Sequence, residues 1–338
     1  MKASFLLRPG SVELRDIPVP KPKRGELLIK VMAALTCGTD LKAFRRGHPV
    51  IPMPGPFGHE FAGIVADVGK GVTQFKAGDA IMAVHTAPCL KCAYCKKGLH
   101  NLCINIMDTK VMGAFSEYIV LPEHIVRQNV YPKPKHLPFE EAALLEPLAC
   151  VVHGIAPLDI KKGDTALVIG SGPIGLMHVM ILSARGVQVA ATDPKDERLR
   201  AAKAFGAKLT KRTDEPLDDF RKLHGGMGFD YVFECTGRPE VWESAVDHPR
   251  RGGTVVLFGG CPSGTTVTFD THRLHYDEIT LRGDFHFTPA DVKAAYVLLT
   301  EGRIKAGKLI SGSYSLADIH LALNQLSIGR GIKYAIIP

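Results

Sequence analysis

Cysteines are the residues that stand out first. Of eight in the chain, four fall within fifteen residues: Cys89-Leu-Lys-Cys92-Ala-Tyr-Cys95, then seven residues, then Cys103. Short C-x2-C steps deliver pairs of thiolates from one tight loop, and tetrahedral Zn²⁺ takes four such ligands. The first ten residues, Met1 to Gly10, hold a three-residue apolar core, too short for a secretory signal. The expected location is therefore the cytoplasm, where reducing conditions disfavour a disulfide framework. A DNA-binding zinc ribbon would draw its ligand pairs from two separate knuckles. Here all four sit in one loop, which predicts a structural zinc lobe at about 85–105.

A second set of metal-type side chains is spread more widely. Cys37 lies in Cys37-Gly38-Thr39-Asp40, and His59-Glu60 lies in Gly58-His59-Glu60-Phe61-Ala62-Gly63, followed by Gly69 and Val72. A further acid, Glu146, opens Glu146-Pro147-Leu148. Thiolate, imidazole and carboxylate make an ordinary Zn²⁺ set. Each of these residues alone is more often structural than a ligand. Their joint presence beside a four-cysteine lobe is what makes a second metal site worth expecting.

A third motif concerns phosphate. Gly170-Ser171-Gly172-Pro173-Ile174-Gly175 follows an apolar run and opens a helical pattern. In that context the glycines serve a tight turn, a close backbone approach to a pyrophosphate and close helix–sheet packing. The helix N-terminus offers free N–H groups to the phosphates. Asp193 closes the next strand, and a carboxylate there accepts hydrogen bonds from an adenosine ribose and repels a 2′-phosphate, favouring NAD over NADP. The alternative is an ordinary N-cap, since Pro194 suits the first helical position. Lys195 and Arg198 lie close enough in sequence to soften the discrimination.

The elements that must position these groups divide the chain in two. At 338 residues, about two domains are expected. From 12 to 130, short β-like runs (26–31, 61–68, 80–84 and 115–120) alternate with Gly and Pro, the texture of a mostly antiparallel barrel-type domain. From about 142, strands and helices alternate. Strands are expected at 165–170, 187–192, 230–234, 254–259 and 279–282, and helices at 173–184 and 194–205. Five such strands imply a parallel, doubly wound sheet. A helix at 290–300 and a strand at 334–337 are expected to return to the first domain. No apolar run approaches the ~20 residues that span a bilayer. The net charge of +8 is scattered, its densest clusters being 21–24 and 161–162. No nucleic-acid module accompanies them, and they read as solvated turns. Cys150, Cys235 and Cys261 read as small buried apolar residues.

Together these motifs resemble a zinc-dependent medium-chain dehydrogenase/reductase of the alcohol dehydrogenase superfamily, in the branch of polyol (sorbitol-like) and threonine dehydrogenases. The resemblance covers essentially the whole chain. It implies a GroES-like β-rich catalytic domain formed by 1–146 and 286–338, with a Rossmann NAD-binding domain at 147–285. It implies a homodimer or homotetramer. By position, Cys37, His59 and Glu60 would bind a catalytic zinc, Glu146 would ligate it directly or through water, and Cys89, Cys92, Cys95 and Cys103 would bind a structural one. Gly170 to Gly175, Asp193 and Arg198 would bind the cofactor.

The chemistry so implied is hydride transfer from a secondary alcohol to NAD, giving a ketone, with zinc as Lewis acid on the substrate hydroxyl. Thr39 matches the hydroxyl that receives the proton, although capping a helix start is an equal alternative. Many relatives carry His five residues after the cysteine ligand, where this chain has Lys42, a poor proton acceptor at neutral pH. The relay would then end at water, His48 or His85, both histidines being read as surface residues. The aromatic, Arg-containing segment of threonine dehydrogenases is lacking at Gly283-Asp284-Phe285-His286-Phe287-Thr288-Pro289, which favours a polyol or sugar-derived alcohol. Two other readings compete: a metal-free reductase of the same superfamily, and a non-catalytic, zinc-stapled nucleotide-binding protein.

Overall fold

The computed structural model describes residues 1–49, 51–218 and 225–338. The chain forms two compact units, Met1–Val152 with Phe287–Pro338, and His153–His286.

The second unit is built on six parallel strands. Counted in chain order, they lie third-second-first-fourth-fifth-sixth, from Leu209–Lys211 through Gln188–Thr192, Thr165–Ile169, Phe229–Glu234 and Pro249–Leu257 to Thr280–Gly283. Thr165–Ile169 is buried at every position, as a strand covered on both faces must be. The helix Pro173–Ala184 is buried from Gly175 through Leu182, and its sequence there is apolar almost all round. Strand order reverses beside Thr165–Ile169, and ligands of such sheets bind at the carboxyl ends of the strands at that point.

The sheet has one strand more than the five expected. Leu209–Lys211 is a three-residue edge strand, half-buried throughout, and so short a run leaves no periodic signal. The fifth strand begins at Pro249 rather than 254: Pro249 pairs with Phe229 and Thr254 with Tyr231, and Arg250-Arg251-Gly252-Gly253 is carried as a register shift between those pairs. The second helix is Asp196–Ala204, shorter at its start than expected, since Pro194 and Lys195 stay outside it.

The first unit carries a seven-stranded sheet. Its path runs Ile310–Ser315, Lys333–Ile337, Leu27–Leu35, Glu60–Val68, Ala80–Ala83, Val130–Pro132, and Tyr118–Leu121 pairs with the first half of Leu27–Leu35. All pairings are antiparallel except that of Ile310–Ser315 with Lys333–Ile337. Phe57, Phe61, Phe115, Leu27, Ile29 and Ile336 are among the apolar residues that fill its core. The register fixes the site. Leu35 lies opposite Glu60 on one side and Ala335 on the other, so the C-terminal strand is laid beside the start of Glu60–Val68. Among the described residues, no helix is long and apolar enough to cross a membrane.

Candidate functional site

Cys37 caps the helix Gly38–Arg46. Its sulfur accepts the Thr39 N–H at 3.5 Å, and the Asp40 carboxylate accepts the Cys37 N–H at 3.2 Å, completing a capping box. The capping role considered for Thr39 thus belongs to Cys37 and Asp40. His59 and Glu60 enter from the start of the strand Glu60–Val68. The ligand atoms of Cys37, His59 and Glu60 all lie within 4.8 Å of one another.

Asp40 ties these pieces together and was not singled out in the sequence. It is fully buried, and its second oxygen lies 3.5 Å from His59 Nδ1. One carboxylate therefore orients two of the three candidate ligands. Burial alone would push His59 down, but Asp40 and the Cys37 sulfur outweigh it and hold the ring well above the usual imidazole range. The same carboxylate and sulfur lend the trio a negative potential, which suits a metal dication bound by the neutral imidazole.

Lys333 is the second residue that sequence reading missed. Its Nζ lies 2.5 Å from Glu60 Oε2 and donates to the Thr36 carbonyl at 2.7 Å, with the side chain 2% exposed. Burial pulls Lys333 down, and Glu60 and Cys37 more than offset this. Burial pushes Glu60 up against the pull of Lys333. Glu60 Oε1 is buried without a hydrogen-bond partner. A buried carboxylate oxygen left bare beside a thiolate and an imidazole is costly unless a cation completes it, so the residues fit a zinc ion.

Glu146 does not join this trio. It lies in the first turn of the helix Leu145–Ile155, with Oε1 3.5 Å from His85 Nδ1 and 3.9 Å from Cys150 Sγ. Burial pushes its carboxyl up to about 7. His85, expected at the surface, is buried, its ring 4.9 Å from that of His59. The reason lies in the chain after Ala80–Ala83: it turns inward, and the His85 carbonyl accepts the Val111 N–H at 2.8 Å. His48 is half-buried, and burial, Lys42 and Arg46 push it down.

In the lobe, Cys89, Cys92, Cys95 and Cys103 bring their sulfurs within 4.8 Å of one another. The Cys89 N–H points at Cys103 Sγ (3.3 Å) and the Cys95 N–H at Cys92 Sγ (3.5 Å). Backbone N–H groups of Cys95 and Ile104 pull the Cys92 thiol down to about 6, stabilising the thiolate that metal binding requires. Burial pushes Cys95 the other way, to about 12. Four thiols so closely gathered suit Zn²⁺. Cys150, Cys235 and Cys261 are half-buried rather than buried as expected, so they are not simple core residues.

In the second unit, the glycine-rich turn has the expected form. Gly170 takes φ +93°, and a Cβ on Gly175 would stand 1.9 Å from the Gly170 carbonyl oxygen. Gly172 caps the helix that Pro173 opens. Ser171 is buried and its hydroxyl donates to the Thr192 carbonyl. Asp193 is 2% exposed. Its oxygens accept the Ser171 and Lys195 N–H groups, each at 2.9 Å, and Arg198 Nη1 lies 3.8 Å away. Asp193 thus fastens the glycine-rich turn to the end of the second strand. Arg198 lies beside the turn, 3.9 Å from where a Gly172 Cβ would be.

Comparison with known proteins agrees with this geometry. Residues 23–135 match the alcohol dehydrogenase GroES-like domain, and residues 173–301 match the zinc-binding dehydrogenase domain. The chain is 33% identical over 334 residues to the sorbitol dehydrogenase of Bacillus subtilis (strain 168), covering 96% of this chain and 93% of that protein. It is 32% identical to the L-threonine 3-dehydrogenase of Bacillus velezensis (strain DSM 23117 / BGSC 10A6 / LMG 26770 / FZB42), covering 96% and 95%. A structure from Sinorhizobium meliloti 1021 bound to NADP superposes with a TM-score of 0.89 at 30% identity, covering 100% and 99% of the two chains. The chain belongs to the zinc-dependent medium-chain dehydrogenase/reductase family. It is an oxidoreductase of the alcohol dehydrogenase type, working with zinc and a nicotinamide cofactor.

One expectation arises at Asp40. Asn at this position can still accept the Cys37 N–H but loses the charge facing His59. Partners behind a metal ligand typically contribute about 10- to 100-fold in affinity. Asp40→Asn should therefore weaken zinc at this centre by about that factor, read by competition with a coloured chelator, while the four-cysteine zinc stays bound.

Proposed function

We propose that the protein oxidises a secondary alcohol of a polyol or sugar derivative to the ketone, using NAD in preference to NADP and two zinc ions per chain. Cys37, His59 and Glu60 hold the catalytic zinc, with Glu146 as the further acid that serves it directly or through water, and Cys89, Cys92, Cys95 and Cys103 hold the structural one. The observation that carries this reading is the bare, buried Glu60 Oε1 set against Cys37 and His59. A zinc-stapled scaffold without catalysis, or a metal-free reductase, has no use for it. Bound zinc would supply Lewis acidity to the substrate hydroxyl.

The chain's own residues do the rest. Asp40 fixes the His59 ring and the Cys37 backbone, Lys333 holds one Glu60 oxygen, and Thr39, on the first turn after Cys37, is assigned to take the hydroxyl proton. The turn Gly170 to Gly175 receives the pyrophosphate and Arg198 the adenosine side of the cofactor. A homodimer or homotetramer and a cytoplasmic location belong to the same reading, the latter because the thiol ligands need reducing conditions. The polyol preference is supported by the sorbitol dehydrogenase relative and by the composition of 283–289.

The test is a panel of polyols, sugars, threonine and simple secondary alcohols, with NAD and NADP supplied separately. Turnover of threonine above every polyol would overturn the substrate class. Asp193 gives a narrower check. A charge-assisted hydrogen bond contributes ~1.5–3 kcal/mol, about ten- to a hundredfold. Asp193→Asn should lower kcat/KM for NAD by about that factor and move preference toward NADP. An unchanged NAD/NADP ratio would leave Asp193 as a turn fastener only.

A further inference from the structure

His85 and Glu146 form a buried pair to which the proposed chemistry gives no shared task, on a backbone tied down on both sides. The His85 backbone is held on both sides: its carbonyl accepts the Val111 N–H, the Thr86 carbonyl accepts Asn129 Nδ2 at 2.8 Å, and the Val84 N–H points at the Asn129 carbonyl. The imidazole lies between two rings, His59 at 4.9 Å and Phe287 at 6.3 Å edge-on. Its Nδ1 faces Glu146 Oε1 at 3.5 Å. Both side chains are buried.

A buried carboxylate must find a hydrogen-bond donor or a cation. Glu146 Oε1 has the His85 ring at 3.5 Å and the Cys150 thiol at 3.9 Å beside it, and the charges of His59 and Glu60 in the neighbouring trio act on it. From this geometry we propose that His85 is a positioning residue that holds Glu146 out of the metal's ligand set, keeping one ligand position open for the substrate. A catalytic zinc site differs from a structural one in that open position. Removing His85 hands Glu146 to the metal, which then binds the ion more tightly and the substrate less well. The inference rests on the reading of Cys37, His59 and Glu60 as a metal centre.

Cobalt(II), loaded in place of the catalytic zinc, reports ligand geometry directly through its visible absorption. The comparison is wild type, His85→Leu, Glu146→Gln and the double variant, with His85→Gln retaining an N–H donor. His85→Leu is expected to bind Co²⁺ about tenfold more tightly, a usual size for effects beyond the direct ligands. Its ligand-field spectrum should change, and KM for the alcohol should rise more than kcat falls. These changes should vanish in the Glu146→Gln background and be reversed by His85→Gln. An unaltered cobalt spectrum and affinity in both His85 variants, or changes that persist without Glu146, would overturn the assignment and leave the metal centre standing. Failure of wild-type protein to take up one equivalent of Co²⁺ beside the lobe's zinc would remove the metal centre itself, and this inference with it.

Discussion

Cys37→Ala should reduce zinc from two ions per chain to one and lower kcat/KM by about 10³-fold or more, with no loss of folded protein. Lewis-acid stabilisation of developing charge is worth several kcal/mol, and each ~1.36 kcal/mol is a factor of ten in rate. Cys37 is half-buried at a helix start, so its methyl replacement leaves no large cavity. The cost to stability is that of a weakened cap, about 1 kcal/mol. Elemental analysis and steady-state kinetics on one preparation decide the matter. A variant that keeps two zincs, or turns over within tenfold of wild type, would show that the trio is not the reacting centre.

The second large effect concerns the lobe. Cys103→Ala should also remove one zinc, but the loss should appear in stability first. The lobe's own apolar core is confined to Cys95, Cys103 and Ile106, with Cys89, Cys92 and Met107 packed around them. So little buried area cannot offset the entropy of ordering the loop, and metal binding supplies the folding free energy. Losing about 4 kcal/mol would lower the melting temperature by roughly 8–16 °C for a unit of this size. Limited proteolysis should cut between 89 and 107 in the variant and spare the wild type. Leu90, Tyr94, Leu99, Leu102 and Ile104 are all substantially exposed, so once the loop opens, proteases of apolar specificity find ready sites. An unchanged melting temperature with one zinc lost would make the lobe an appendage with no structural task.

What could be read ahead of the structure was what local chemistry writes into contiguous residues. The helix Pro173–Ala184 was bounded correctly because Gly172, Pro173 and an unbroken apolar run mark it. The four-cysteine loop declared itself by spacing. Asp40 went unread although its distance from Cys37 is that of a capping box; the signal was present, but a cysteine in the cap position masked it. His85 was misplaced because a polar residue after a short strand looks like any exposed loop position. Lys333 gave no local sign at all. Its partner Glu60 is reached only through the sheet register, and a buried lysine in an apolar strand reads as an interruption. Pairings set by register between distant strands are invisible to periodicity, and these are the contacts that give the metal centre its electrostatics.

That register has a consequence for how the molecule comes into being. Glu60 and Lys333 are separated by 273 residues (333 − 60), and ribosomes add roughly 5–20 residues per second. About 14–55 s of synthesis therefore pass between the carboxylate and its buried counter-charge. The four lobe thiols are complete within fifteen residues and can close on an ion while the chain is still growing. The trio of Cys37, His59 and Glu60 gains its buried counter-charge only when the strand Lys333–Ile337 docks beside Leu27–Leu35. On the proposed reading the two zinc sites differ in birth order: the lobe can fill early and help the chain fold, and the trio matures last, as the fold closes over it.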